Sequence, residues 1–162
     1  MEYNIKDFEE AVTKFNNIMG VPDNEKKSFE IQYRVIKEEL EELKDAENSL
    51  DRIDAVVDIL VTSLGLITRA EKFGYDVYGA MKAVMDNNMT KFIPADCPQA
   101  DTIIAYSEHF YKTEKGTNVK AVYNEEYDVY VLIDQDTGKV NKPIGYTPPA
   151  LDEFVPKEKD NV

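Results

Sequence analysis

Apolar residues recur at helical spacing through the first half of the chain. Ile5, Phe8, Val12, Phe15 and Met19 mark one face of a helix over 5–19, which Gly20 and Pro22 end. A second helix starts after Asp23–Lys27 and runs to about Ala46; Phe29, Ile36, Leu40 and Leu43 form its stripe, with Val35 alongside. The polar turn Glu47–Asp51 leads into a third helix from about Leu50 to Phe73, closed by Gly74. A fourth, from about Val77 to Phe92, carries Val77, Met81, Val84, Met85 and Met89 and stops before Pro94. Short connections between four helices predict a mainly α fold. Its core over 1–94 is expected to be an antiparallel, four-helix bundle-type domain, by itself or completed by a second subunit.

After Pro94 the pattern changes. Asp101–Thr113 suits a short helix with Ile103, Ile104, Phe110 and Tyr111 as packing residues. From Val119 the alternation predicts strands: VKAVYN, then YDVYVLID, then KVNKPIGY after a turn at QDTGK. The DTG turn before Lys139 is a hairpin signal. Pro143, Pro148 and Pro149 make the remainder an extended tail, whose charged end PKEKDNV is expected to fray. Residues 95–162 are therefore expected to add a short helix, a small β-hairpin and a tail, packed on the core or on a dimer.

The third helix changes the picture from fold to chemistry. The apolar run IDAVVDILVTSLGLI, Ile53 to Ile67, is broken by two charges, Asp54 and Asp58, one turn apart on one face. Carboxylates on a helix apolar nearly all round are expected to be buried, and burying them alone is costly. A bound cation offsets that cost. Upstream, Glu39 and Glu42 stand three apart in IKEELEELKDA. Val35, Glu39, Glu42 and Ala46 share a stripe, as do Asp54, Asp58, Val61 and Gly65, so antiparallel neighbours would face acid to acid. With no histidine or cysteine in these helices, the donor set is all oxygen. That suits Mg²⁺ or Mn²⁺ and disfavours zinc and copper. Such a metal is the usual requirement for chemistry on phosphates. Glu38, Asp45 and Asp51 are adjacent acids that could ligate a second metal or act as general base; each is equally a solvated surface charge. Asn88 and Lys91, three apart, could donate to a phosphate, or could simply be a polar helix end whose lysine complements the dipole. Phe15 and Asn16 could stack on and hydrogen-bond a base, although Phe15 fits a core position as well.

Bulk properties narrow the partners. A net charge of −13 argues against bare nucleic acid and anionic membrane surfaces, and leaves metal affinity, solubility or mimicry of DNA. No apolar run is long enough to span a membrane, and the acidic start MEYNIKDFEE resembles neither a signal nor a transit peptide. The single cysteine, Cys97, excludes an intramolecular disulfide and suits a reducing cytoplasm; the only histidine, His109, lies in another segment.

The motifs EELEEL, DAVVD followed by ILVTSLG, NNMTK and GKVNKPIGYTPPAL (Gly138–Leu151) occur in this order. Together they resemble the all-α nucleoside triphosphate pyrophosphohydrolases, the MazG-like and dimeric dUTPase-like superfamily, in its phosphoribosyl-ATP pyrophosphohydrolase-like branch. The resemblance spans nearly the whole chain. It implies Mg²⁺-dependent hydrolysis between the α and β phosphates of a nucleotide such as dUTP or a non-canonical dNTP, giving the monophosphate and pyrophosphate. Carried over by motif, Glu39, Glu42 and Asp58 would be metal ligands, and Asp54 the first aspartate of DAxxD. Glu38 would be the extra glutamate that holds a further metal or activates water, and Asn88 and Lys91 would hold the triphosphate. The commoner second motif is ExxD, whereas Ala55 stands three residues before Asp58 here. Asp51-x-x-Asp54 keeps that spacing one turn earlier, so Asp51 stays open as the alternative ligand. Asn87 replaces the serine of SNMxK. The resemblance also implies a homodimer or higher homo-oligomer. Two rivals remain: a non-enzymatic acidic protein that mimics DNA, and an inactive member of the same fold.

Overall fold

The computed structural model describes residues 5–157. The fold is mainly helical, with a small three-stranded antiparallel sheet in its C-terminal part. Two compact units divide between Val77 and Tyr78, and residues 154–157 belong to the first. Of the charged tail expected to fray, residues 158–162 lie outside the described residues.

In the first unit, α1 (Ile5–Met19) and α2 (Glu25–Asp45) each pack on α3 (Ser49–Lys72). Asparagines set two of the starts. The Asn24 side chain accepts from Lys27 N at 2.8 Å, and Asn48 accepts from Leu50 N and Asp51 N at 2.9 and 3.0 Å. Each satisfies backbone donors that a first helical turn leaves without partners. Gly74, at φ +89°, closes α3 where a side chain would be strained. α2 and α3 run antiparallel: Ser28 meets Arg69, Gln32 meets Thr62, and Glu39 lies within electrostatic reach of Asp58 and Asp54.

Burial in these helices departs from the sequence expectation. The residues packed away are Val12 and Asn16 on α1, Ser28 and Gln32 on α2, and Ala55, Gly65, Arg69 and Ala70 on α3. Four of the five residues of the apolar stripe of α1, Ile5, Phe8, Phe15 and Met19, are exposed, and Phe15 is not core. On α3, Ile53, Val56, Val57, Leu60 and Val61 are exposed as well. The expectation that Asp54 and Asp58 are buried is corrected accordingly: Asp54 is exposed and Asp58 half-buried. The reason is physical. α3 is apolar nearly all round, but the chain packs fully only against the face built from its small residues and Arg69, leaving Leu64, Leu66 and Ile67 half-buried.

α4 (Val77–Met89) starts at the boundary and runs into the second unit. It ends earlier than its periodicity suggests, because Thr90, Lys91 and Phe92 turn back onto the carbonyls of Asn87, Asn88 and Met89. The sheet has the order β1-β3-β2, from β1 (Ile93–Pro94), β2 (Val119–Asn124) and β3 (Val129–Asp134). Here a second expectation is corrected. β3 pairs with β2, Val119 opposite Asp134 through Asn124 opposite Val129, while KVNKPIGY contributes one bridge, Ile133 to Val140. β1 takes the rest of that edge at Val129 and Tyr130, and Pro143 has no N–H with which to extend a ladder. α5 (Ala100–Phe110), continued by a π-helical turn over 111–115, covers the sheet; Ile93, Ala100, Val119 and Leu132 form the core.

Candidate functional site

The antiparallel pairing of α2 and α3 gathers the acidic stripes. The Glu39 carboxyl is held above the ordinary glutamate range, first by partial burial and then by the negative charges of Glu42, Asp58, Glu38 and Asp54. Carboxylates from both helices thus bear on one group, as the two stripes require. Among the described residues, no lysine or arginine forms an ion pair with Glu39, Glu42, Asp54 or Asp58. Their mutual repulsion is therefore not neutralised by an ion pair among the described residues. Among the described residues, no three histidine, cysteine, aspartate or glutamate side chains stand close enough to hold a metal ion as they are. The donor chemistry fits a hard divalent cation, but the rotamers would have to converge on it. Glu42 and Asp54 are exposed.

The other acids divide. Glu38 lines a depression of about 420 Å³ with Arg34, Lys37, Glu41 and Glu42. Asp51 accepts a hydrogen bond from Asn48 Nδ2 at 2.7 Å and sits in the first turn of α3. There it complements the helix dipole as part of the cap. It is not among the charges acting on Glu39.

One turn beyond the stripe, a buried polar cluster stands out. Arg69 donates from Nε to Gln32 Oε1 at 2.7 Å and from an η nitrogen to Ser28 Oγ at 3.1 Å. Gln32 Nε2 donates to the Thr62 carbonyl at 2.6 Å. Arg69 is only 8% exposed and has no carboxylate partner among the described residues, and its burial lowers the pKa of the guanidinium. Asn16 is 6% exposed, and its Nδ2 is buried with no hydrogen-bond partner. Sequence reasoning singled out Asn16 but missed Ser28, Gln32 and Arg69. The available signal was an arginine following an apolar run that contains a mid-helix glycine, Gly65.

In the second unit, Lys91 Nζ donates to Asn88 Oδ1 at 2.7 Å, so these two side chains are brought together. Asn87 Nδ2 donates to the Thr147 carbonyl at 2.7 Å, and the Tyr146 hydroxyl donates to Asn87 Oδ1. The NNMTK segment is thereby tied to the proline-rich tail. Beside it lies a cleft of about 680 Å³, lined mainly by apolar groups such as Phe92, Ile93, Ile103 and Ile144. Among the described residues no helix is long and apolar enough to cross a membrane. Comparison with known protein families, curated proteins and solved structures finds no match to this chain.

Proposed function

We propose that this protein is a Mg²⁺-dependent nucleoside triphosphate pyrophosphohydrolase that cleaves the α–β phosphate bond. The observation that carries the proposal is the un-neutralised charge of Glu39, Glu42, Asp54 and Asp58, converging on Glu39 from two helices. Glu39, Glu42, Asp54 and Asp58 would hold the metal. Mg²⁺, or Mn²⁺ in its place, would neutralise the phosphoryl oxygens and lower the pKa of a coordinated water. Glu38 or Glu39 would take a proton from the water that attacks the α phosphorus; the new P–O bond gives the monophosphate as the bridging bond to that phosphorus breaks and its oxygen departs with pyrophosphate. Asn88 and Lys91 are assigned the triphosphate by their motif, and Asn16 the base. Asp51, engaged in the α3 cap, is the weaker ligand candidate.

A homodimer belongs to the same proposal. The exposed face of α3, with Ile53 55% and Leu60 59% exposed, is the surface a second copy would cover to complete a helical bundle. Burial there would also dry the carboxylate site and strengthen its hold on a cation.

The test is pyrophosphate release from a panel of canonical and deaminated nucleoside triphosphates, with Mg²⁺ or with EDTA. Metal-dependent release with a monophosphate product supports the proposal. Mg²⁺ binding without turnover on any substrate would point to an inactive member of the fold. Neither binding nor turnover would leave the acidic DNA mimic as the better account.

A further inference from the structure

The second unit holds a cleft that the pyrophosphohydrolase proposal leaves unused. Met89, Phe92 and Ile93 line it from the junction of α4 and β1, Ile103 from α5, and residues 143–147 from the tail. The tail wall is pinned in place. Ile144 N donates to the fully buried Ser107 Oγ at 2.8 Å, and the Tyr146 hydroxyl and Thr147 carbonyl grip the two ends of the Asn87 amide. Between them Tyr146 N closes a turn on the Pro143 carbonyl at 3.1 Å, with Gly145 at φ +87° in the position that favours glycine. These bonds occupy the Asn87 amide and the proton of the Tyr146 hydroxyl, while the Thr90 hydroxyl donates to the Asn87 carbonyl at 2.7 Å. What remains for a ligand is chiefly apolar surface around about 680 Å³, within the usual range for small organic molecules.

Charge sets this cleft apart from the rest of the molecule. The chain carries 32 acidic residues against 19 lysines and arginines, yet among the described residues no carboxylate lines the cleft. Lys142, next to the lining Pro143, holds its ammonium 4.7 Å from the centre of the Tyr146 ring. It is exposed and forms no ion pair among the described residues. Its N–H and carbonyl both meet the Tyr111 hydroxyl, at 3.2 and 3.0 Å, so the backbone that carries the charge is fixed as well. We infer that the cleft is a binding site for a small aromatic anion, a ring bearing a carboxylate or a similar charged group. The ring would pack among Phe92, Ile103 and Ile144 beside Tyr146, and the anion would meet Lys142. A rigid ring suits a pre-formed site better than a flexible chain, because it has less freedom to lose on binding. A cation does not suit it, since Lys142 repels one and no carboxylate is there to receive it. The site uses none of the carboxylates of α2 and α3, so it stands or falls apart from the pyrophosphohydrolase proposal.

The test is a titration of the intact, ¹⁵N-labelled protein at neutral pH with 1-naphthoate, with uncharged 1-naphthol and with acetate, which lacks the ring. It is read at the backbone amides of Thr90, Ile103, Ile144 and Gly145. Expected are saturable shifts at these residues with naphthoate, at an affinity about fivefold tighter than with naphthol, and none with acetate. Lys142→Gln changes only an exposed side chain, and its amide spectrum reports that it folds. In that variant naphthoate should fall to the affinity of naphthol, and naphthol should be unaffected. The inference is overturned by naphthoate shifts that are absent from these residues or confined to the exposed apolar face of α3. Equal affinities for naphthoate and naphthol in the wild type, or full naphthoate affinity in Lys142→Gln, would overturn it as well.

Discussion

Glu39 on α2 feels the negative charge of Asp58 on α3, across a helix pair joined by Arg69, which donates to both Gln32 and Ser28 of α2. Repulsion between the carboxylates would favour separating the helices. The hydrogen bonds of the buried cluster, two turns away, oppose that separation. The acidic pairs are thus kept together by a neutral and cationic network, and each part can be tested alone.

Replacing Glu39 by glutamine should stabilise the metal-free protein. The gain should be about 0.2–1 kcal/mol, the range for exposed charge pairs, or about 0.4–4 °C in Tm for a chain of this size. The sign follows from the raised pKa of Glu39. In the native state it holds its proton more tightly than in the unfolded chain, so stability falls as pH rises from the ordinary glutamate value through the raised one. Thermal melts in EDTA across that window should show this slope in the wild type and a smaller one in Glu39→Gln.

Asp58→Asn should abolish Mg²⁺-dependent turnover while keeping the fold, because it removes a ligand and relieves repulsion together. Mg²⁺ should raise the Tm of the wild type and leave that of the variant unchanged. Wild-type turnover in Asp58→Asn would remove Asp58 from the site.

Gly65→Ala should destabilise the first unit even though alanine is the better helix former by about 1 kcal/mol. The new methyl would press on Gln32 Nε2, and Gln32 is held at both ends of its amide, so it cannot yield cheaply. Overpacking of this kind costs about 1–3 kcal/mol, so the net loss should be about 1 kcal/mol in chemical denaturation. An increase in stability would mean that the cluster is looser than its hydrogen bonds imply.

Arg69→Ala should cost more, about 2–4 kcal/mol, since it strands Gln32 Oε1 and the fully buried Ser28 Oγ without a donor and leaves a cavity. Denaturant midpoints of the two variants measure this ordering directly.

Lys91→Ala should raise KM for a triphosphate by about tenfold, roughly the loss of one charge-assisted hydrogen bond, with a smaller effect on kcat. An unchanged KM would leave Lys91 as the partner of Asn88 and nothing more.

Much of the helical framework was legible in the sequence. Gly20, Pro22, Gly74 and the periodicity of 5–72 place α1 and α3 within a residue or two, because those signals act locally along the backbone, whereas α2 begins at Glu25, inside the polar stretch expected to precede it. The acidic stripes were legible for the same reason: residues at i, i+4 and i+7 share a face whatever surrounds the helix. Strand pairing was less so. Ile93–Pro94 is too short to carry a pattern, yet it takes the edge of β3 for which KVNKPIGY was the local candidate.

What the sequence determined by itself was the set of helices and the face on which each acid lies. Tertiary structure alone decided which face of each helix is covered. Periodicity marks the apolar side, and the chain instead packs Asn16, Ser28, Gln32, Gly65 and Arg69 together, leaving Phe15, Ile53 and Leu60 outward. Burial depends on which surfaces meet. At this contact small residues let helices approach closely, and hydrogen bonds between α2 and α3 satisfy polar groups that neither helix could satisfy alone.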